Sequence, residues 1–90
     1  MTIFPKTLPP ELTERGKISK FEIITGNNFE VSLLVLSPMA KIKMHQHPDD
    51  IEYYFNLTEK TLSICEKGGS HELANNSETE ELMVISIKVF

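Results

Sequence analysis

Residues 29–36 read FEVSLLVL, and this stretch indicates a β-strand. Apolar residues occupy the odd positions, while Glu30 and Ser32 are polar, which is the two-residue period of a strand. Leu34 and Leu36 then interrupt the polar side. The second half of the strand should therefore be buried on both faces, in the core of the protein.

Further strand-like stretches lie on both sides of this one. Residues 17–25 are rich in Ile and Phe, residues 52–57 are aromatic-rich and strand-like, residues 61–65 follow after a polar turn, and residues 82–90 have strong β-propensity. We count about seven short strands, with turn signals at intervals close to those of a sandwich or barrel. Residues 7–16, TLPPELTERG, allow one helical turn that stops at Gly16. The sequence predicts an all-β fold with at most one short N-terminal helix.

Length and charge narrow the class of protein. Ninety residues predict a single domain over 1–90, and 13 acidic against 9 basic residues give a net charge of −4. Because no Lys/Arg cluster exists, a nucleic acid is not an expected partner. No apolar run reaches the length of a membrane span or a signal peptide, and the lone Cys65 suits a reducing cytoplasm. So short a chain has a thin core, and a homodimer sharing a hydrophobic face would enlarge it.

Four residues have the character of metal ligands. His45 and His47 are two residues apart, so that a strand would place both on one face. Glu52 follows a short turn, and His71 follows a Gly-Gly loop. Three imidazoles and one carboxylate suit a first-row divalent metal and leave octahedral positions open, and zinc can accept such a set with fewer ligands. These residues predict a metal site.

The spacing of these residues resembles that of the cupins. His45-x-His47-x4-Glu52 matches their first motif, and Gly68-x-x-His71-x3-Asn75 matches the core of their second. The resemblance covers roughly residues 34–89. It implies a small cupin-like jelly-roll β-barrel or sandwich, with His45, His47, Glu52 and His71 as ligands inside it.

The chain departs from the cupin pattern at framework positions. Met39, Glu59 and Lys60 stand where the motifs normally have Gly, and Glu66 stands where they have Pro. Because Glu59 and Lys60 are adjacent, no residue separates the two motifs. We therefore expect the strand near 53–57 to turn directly into the strand at 62–65, which leaves the barrel more open.

The resemblance leaves several functions open. The first is a metal-dependent enzyme, an oxidoreductase (dioxygenase-like) or an isomerase, that acts on a small oxygenated metabolite with Fe, Mn, Ni or Zn. The second is a non-catalytic module that binds a small ligand or senses a metal. A third keeps the fold without metal, as a structural dimer. Tyr54 shares strand parity with Glu52, so its hydroxyl is a candidate to bind substrate or donate a proton.

Other polar and aromatic residues have structural interpretations. Asp49 and Asp50 are expected in a solvated turn, and Asn75 is expected to make structural hydrogen bonds. Cys65 is predicted to be a small buried residue. Tyr53 and Phe55 are predicted to pack in the barrel wall.

Overall fold

The computed structural model describes Glu11, residues 14–46 and residues 49–90; for residues 43–46 and 71 it describes the backbone alone. The described part of the chain forms β-strands joined by turns. Their bounds are Ile18–Thr25 (β1), Phe29–Leu36 (β2), Lys41–Gln46 (β3), Ile51–Asn56 (β4), Thr61–Cys65 (β5), Ser70–Ala74 (β6) and Leu82–Val89 (β7). Most of the helical turn predicted at 7–16 lies outside the described residues.

The strands form two antiparallel sheets. The larger has the order β1-β2-β7-β4-β5, and the smaller consists of β3 and β6. No helix long and apolar enough to cross a membrane occurs in the part of the chain that the structure describes. The predicted all-β fold is confirmed, including the direct hairpin between β4 and β5, whose turn spans residues 57–60.

Strand β2 lies in the large sheet as its sequence predicts. It pairs with β1 on one side and with β7 along its whole length on the other. Leu33 and Val35 are buried on one face and Leu36 on the opposite face. The second half of the strand is therefore buried on both faces, as expected from the loss of the polar alternation.

The core lies between the two sheets. Leu36, Ala40, Leu82 and Val84 form its buried centre, and Ile42 of β3 and Leu73 of β6 pack against it. Ile42 and Leu73 are cross-strand partners, so the small sheet covers this face of the large sheet with one apolar pair. We call the covered side of the large sheet the inner face and its other side the outer face.

Asn75 connects three segments of backbone next to this core. Its buried side-chain amide donates to the carbonyl oxygens of Leu36 (2.9 Å), Ser37 (3.0 Å) and Glu80 (2.8 Å). Its Oδ1 accepts a hydrogen bond from the backbone N–H of Ser77 at 3.0 Å. The predicted structural role of Asn75 is confirmed: it fixes the loop before β7 to the end of β2.

Two framework positions that cupins fill with glycine have a left-handed backbone here. Met39 has φ 65° and Lys60 has φ 58°. A residue with a Cβ pays about 1–2 kcal/mol for this conformation, because the Cβ crowds the following carbonyl oxygen. The missing glycines thus leave local strain in the turn after β2 and in the β4–β5 hairpin.

Replacing Lys60 with Gly is expected to stabilise the protein by about 0.5 kcal/mol. Removal of the Cβ relieves the left-handed strain, and the larger entropy of glycine in the unfolded chain offsets part of that gain. Lys60→Ala removes the same charged side chain but keeps the Cβ, so its stability should stay close to that of the wild type. Urea unfolding of the three proteins measures the difference, and a Gly variant no more stable than the Ala variant would contradict this account.

Candidate metal centre

Strand β4 carries the carboxylate at the centre of the site. Glu52 is 3% exposed and is the cross-strand partner of Cys65 on β5 and Lys88 on β7. Tyr54, two residues along the same face, donates its hydroxyl hydrogen bond to Glu52 Oε2. The Ser86 hydroxyl lies 3.4 Å from the same oxygen, in donating geometry. The Glu52 side chain is thus held on the inner face by hydroxyl groups of β4 and β7.

Charged side chains flank this carboxylate in a row across three strands. Lys88 pairs in register with Glu30 on β2 and with Glu52 on β4, and its Nζ is 3.9 Å from Glu52 Oε1. That separation is an ion-pair distance and too long for a hydrogen bond. Glu30 in turn binds Lys20 at 2.6 Å, and this hydrogen bond is the main reason that the pKa of Glu30 is lowered. Each of the two glutamates therefore has a lysine beside it.

The backbone brings two of the predicted histidines together. His45 of β3 and His71 of β6 are cross-strand partners, next to the pair Gln46 and Ser70. These positions belong to the small sheet that covers the inner face. His47 lies outside the described residues. Of the four predicted ligands, the structure therefore places Glu52 on the inner face and His45 beside His71 on the opposing sheet.

Asp50 is buried, and the prediction that it lies in a solvated turn is wrong. It was expected in a solvated turn together with Asp49, but only Asp49 is exposed, and Asp50 is 9% exposed. Its negative charge helps to raise the pKa values of both Tyr54 and Cys65, so it acts on the same side of β4 as Glu52. The signal was present in the sequence, because Asp50 precedes Glu52 by two residues and therefore shares its strand parity.

Tyr54 and Cys65, which both lie beside Glu52, stay protonated near neutral pH. Burial is the largest cause that raises the pKa of Tyr54, and the hydrogen bond to Glu52 is the second. Burial, followed by the charge of Glu52, raises the pKa of the Cys65 thiol, which the structure buries as predicted. Tyr54 therefore presents its proton to Glu52, and Cys65 has neither the low pKa nor the thiolate character of a nucleophile.

Two cavities open on the inner face. A small one of about 130 Å³ includes Glu52, Ser86, Lys88 and, from the opposing sheet, Ile42 and Leu73. A larger one of about 680 Å³ runs between β5 and β6. Tyr54 and Leu73 line both. The larger cavity lies beside the short β4–β5 hairpin, where the sequence predicted a more open barrel.

The residues present fit a divalent metal in their chemistry. First-row metals take oxygen and nitrogen donors of the types found here. The oxygen donors are the buried carboxylates of Glu52, which already accepts hydroxyl hydrogen bonds on one oxygen, and of Asp50. The nitrogen donors belong to the two histidines that are in register, His45 and His71. Among the described side chains, which leave out those of the three histidines, no group of three or more His, Cys, Asp and Glu is placed to hold a metal ion. The fit therefore depends on the histidines joining Glu52.

Solved structures share this architecture. The match to a Thermus thermophilus protein covers 88% of this chain and 89% of the chain of that protein, with a TM-score of 0.72 and 17% sequence identity. The match to a Klebsiella pneumoniae protein with a double-stranded β-helix domain covers 88% of this chain and 77% of the other, with a TM-score of 0.70 and 16% sequence identity. The match to a cupin domain from Bordetella pertussis covers 87% of this chain and 98% of the other, with a TM-score of 0.55 and 16% sequence identity.

Comparison by sequence adds nothing to these structural likenesses. Neither a protein-family model nor a curated protein matches the sequence. The likeness therefore rests on the arrangement of the strands, which is shared over nearly nine-tenths of this chain. The chain has the cupin fold, the small jelly-roll architecture that the resemblance of its two motifs implied.

Proposed function

We propose that this protein binds one divalent transition metal through His45, His47, Glu52 and His71 and uses it to act on a small metabolite. The observation that carries the proposal is Glu52, a carboxylate 3% exposed on the inner face of the barrel. A carboxylate is buried at a cost of several kcal/mol unless partners or a metal compensate. Here it faces the strand pair that contains His45 and His71.

The protein's own groups prepare this carboxylate for a ligand role. Tyr54 and Ser86 both donate to Oε2, which orients the carboxylate. Partners of this kind, one step removed from the metal, fix the geometry of its ligands. Tyr54 is thus a positioning residue for Glu52. A bound Fe, Mn, Ni or Zn would supply Lewis acidity at the open positions.

The larger cavity supports a substrate without negative charge. Glu59, Glu66 and Glu72 are among the residues that line it, and no lysine or arginine is among the described lining residues. Neutral hydrogen-bonding groups on the inner face of the hairpin, those of Asn56, Thr61 and Ser63, make up its floor. We infer a neutral or cationic metabolite that carries hydroxyl or amine groups, turned over by an oxidoreductase or isomerase reaction.

A second candidate is a module that binds a ligand or senses a metal without catalysis. The openness of the site favours it, because enzymes commonly enclose their reacting groups to exclude water. In both cases the protein would act as a homodimer, which enlarges a core with few buried apolar side chains.

Cobalt titration tests the composition of the site. Addition of Co²⁺ to the apo protein should give a weak visible absorption that saturates at one equivalent, as expected for imidazole and carboxylate ligands. It should lack the strong near-ultraviolet band of a thiolate ligand, because the proposed ligand set contains no thiol, and Cys65→Ser should give the same spectrum. A spectrum that does not change with Co²⁺ would refute the proposal. A thiolate band that disappears in Cys65→Ser would mean that Cys65 binds the metal and that the proposed ligand set is wrong.

A further inference from the structure

Lys88 places a positive charge beside the proposed metal ligand Glu52. Strand β7 lies between β2 and β4, and its pairing fixes Lys88 in register with Glu30 on one side and Glu52 on the other. The Lys88 Nζ atom lies 3.9 Å from Glu52 Oε1, and the lysine side chain is 22% exposed. The ion pair is therefore on the covered inner face, where salt and water screen the two charges weakly.

The two oxygens of Glu52 have different neighbours. Oε2 accepts the hydrogen bonds of Tyr54 and Ser86, whereas Lys88 approaches Oε1. At 3.9 Å the lysine acts through its charge, so it does not orient the carboxylate as the hydroxyl groups do. A divalent cation held by Glu52 has to share the carboxylate with this ammonium group. Because like charges a few ångströms apart repel each other strongly on a covered face, lysine and metal compete for one negative charge.

The surroundings of Lys88 keep its ammonium group near Glu52. The cavity that they share has a volume of about 130 Å³, and Ile42 and Leu73 of the opposing sheet are among its lining residues. These aliphatic side chains offer no hydrogen-bond acceptor. Of the two carboxylates in register with Lys88, that of Glu30 is already bonded to Lys20 at 2.6 Å. The position of Lys88 therefore makes it the counter-ion of Glu52.

We propose that Lys88 regulates the metal site by holding its affinity below the value that the ligands alone would give. This inference rests on the proposed function and adds a control of the same site. In the apo protein the lysine offsets part of the cost of burying the Glu52 carboxylate. When metal binds, the same ammonium group becomes a repulsive neighbour. One side chain thus stabilises the apo fold and weakens metal binding, which suits a site that gains and loses its metal reversibly.

Lys88→Met separates these two effects, because methionine keeps an unbranched apolar chain and removes the charge. The affinity for Co²⁺, measured by competition with a chromophoric chelator, should rise at least about tenfold. The Tm of the apo protein should fall by roughly 4–8 °C, because Glu52 loses its counter-ion. A lysine with a merely structural role would lower the Tm without raising the affinity. The opposite signs of the two changes are therefore the signature of competition.

Two control variants isolate the ion pair from other causes. Lys20→Met removes the same charge from the inner face, but β1 lies three strands from β4, about 14 Å across the sheet. Its Co²⁺ affinity should differ from that of the wild type by less than about threefold. Lys88→Arg keeps the charge beside Glu52, so it should bind Co²⁺ no more tightly than the wild type.

The outcomes distinguish this inference from the proposed function. If the wild type binds Co²⁺ and Lys88→Met binds it equally or more weakly, the role of Lys88 is refuted while the metal site stands. Equal gains in Lys88→Met and Lys20→Met would mean that net charge controls the affinity, which also refutes it. No binding by the wild type or by Lys88→Met would refute both proposals. Circular dichroism checks that each variant is folded, and Lys88→Gln repeats the test with a polar side chain.

Discussion

Replacing Glu52 with Gln is expected to weaken metal binding at least about 100-fold. The amide has lost the negative charge that offsets a divalent cation, yet it has nearly the same shape and can still accept the hydrogen bond of Tyr54. The apo protein should therefore fold as well as the wild type, because the substitution also removes a buried charge. Competition with a chromophoric chelator measures the affinities.

Glu30→Gln provides the matched control for this experiment. Glu30 flanks Lys88 from β2 as Glu52 does from β4, so both variants remove one acidic neighbour of the same lysine. Glu30 lies two strands from Glu52, about 10 Å away, and its carboxylate is bonded to Lys20. Its loss should change metal affinity by less than about threefold. Equal losses in the two variants would mean that net charge, and not ligation by Glu52, controls binding.

Replacing Asn75 with Ala is expected to cost about 2–4 kcal/mol of folding stability. The substitution leaves the carbonyl oxygens of Leu36, Ser37 and Glu80 without their amide donor, and Leu36 and Ser37 are fully buried. For a domain of this size the loss corresponds to a fall in Tm of roughly 10–20 °C. Thermal unfolding of the apo protein, followed by circular dichroism, measures it.

Asn76→Ala is the control, because Asn76 is the next residue and is exposed. It should unfold within about 2 °C of the wild type. If Asn75→Ala were no less stable than Asn76→Ala, the amide would not hold the loop before β7, and the structural role of Asn75 would be wrong.

Local sequence patterns predicted most of the strands. The alternation in β2 and the β-propensity of β7 agree with their positions at the centre of the large sheet. Residues 40–44 gave no clear pattern, yet residues 41–44 belong to β3, because pairing with β6 determines that strand. Such pairing joins residues about 30 positions apart and cannot be read from a short window.

The sequence predicted which residues share a face but not which faces are covered. Parity placed Glu52 and Tyr54 on the same side, and the structure agrees. Phe55 was predicted to pack in the barrel wall, but it is 38% exposed on the outer face, so this prediction is wrong. The same limit applies to Asp50: the parity that it shares with Glu52 could be read from the sequence, but its burial could not.

The most direct test of the metal site is the metal content of the purified protein. Plasma mass spectrometry would compare the wild type with His45→Ala/His47→Ala, both prepared without a nickel column. The account predicts nearly one Fe, Mn, Ni or Zn per wild-type chain and almost none in the double variant. Absence of metal from the wild type, even after reconstitution, or equal metal in both proteins, would contradict it.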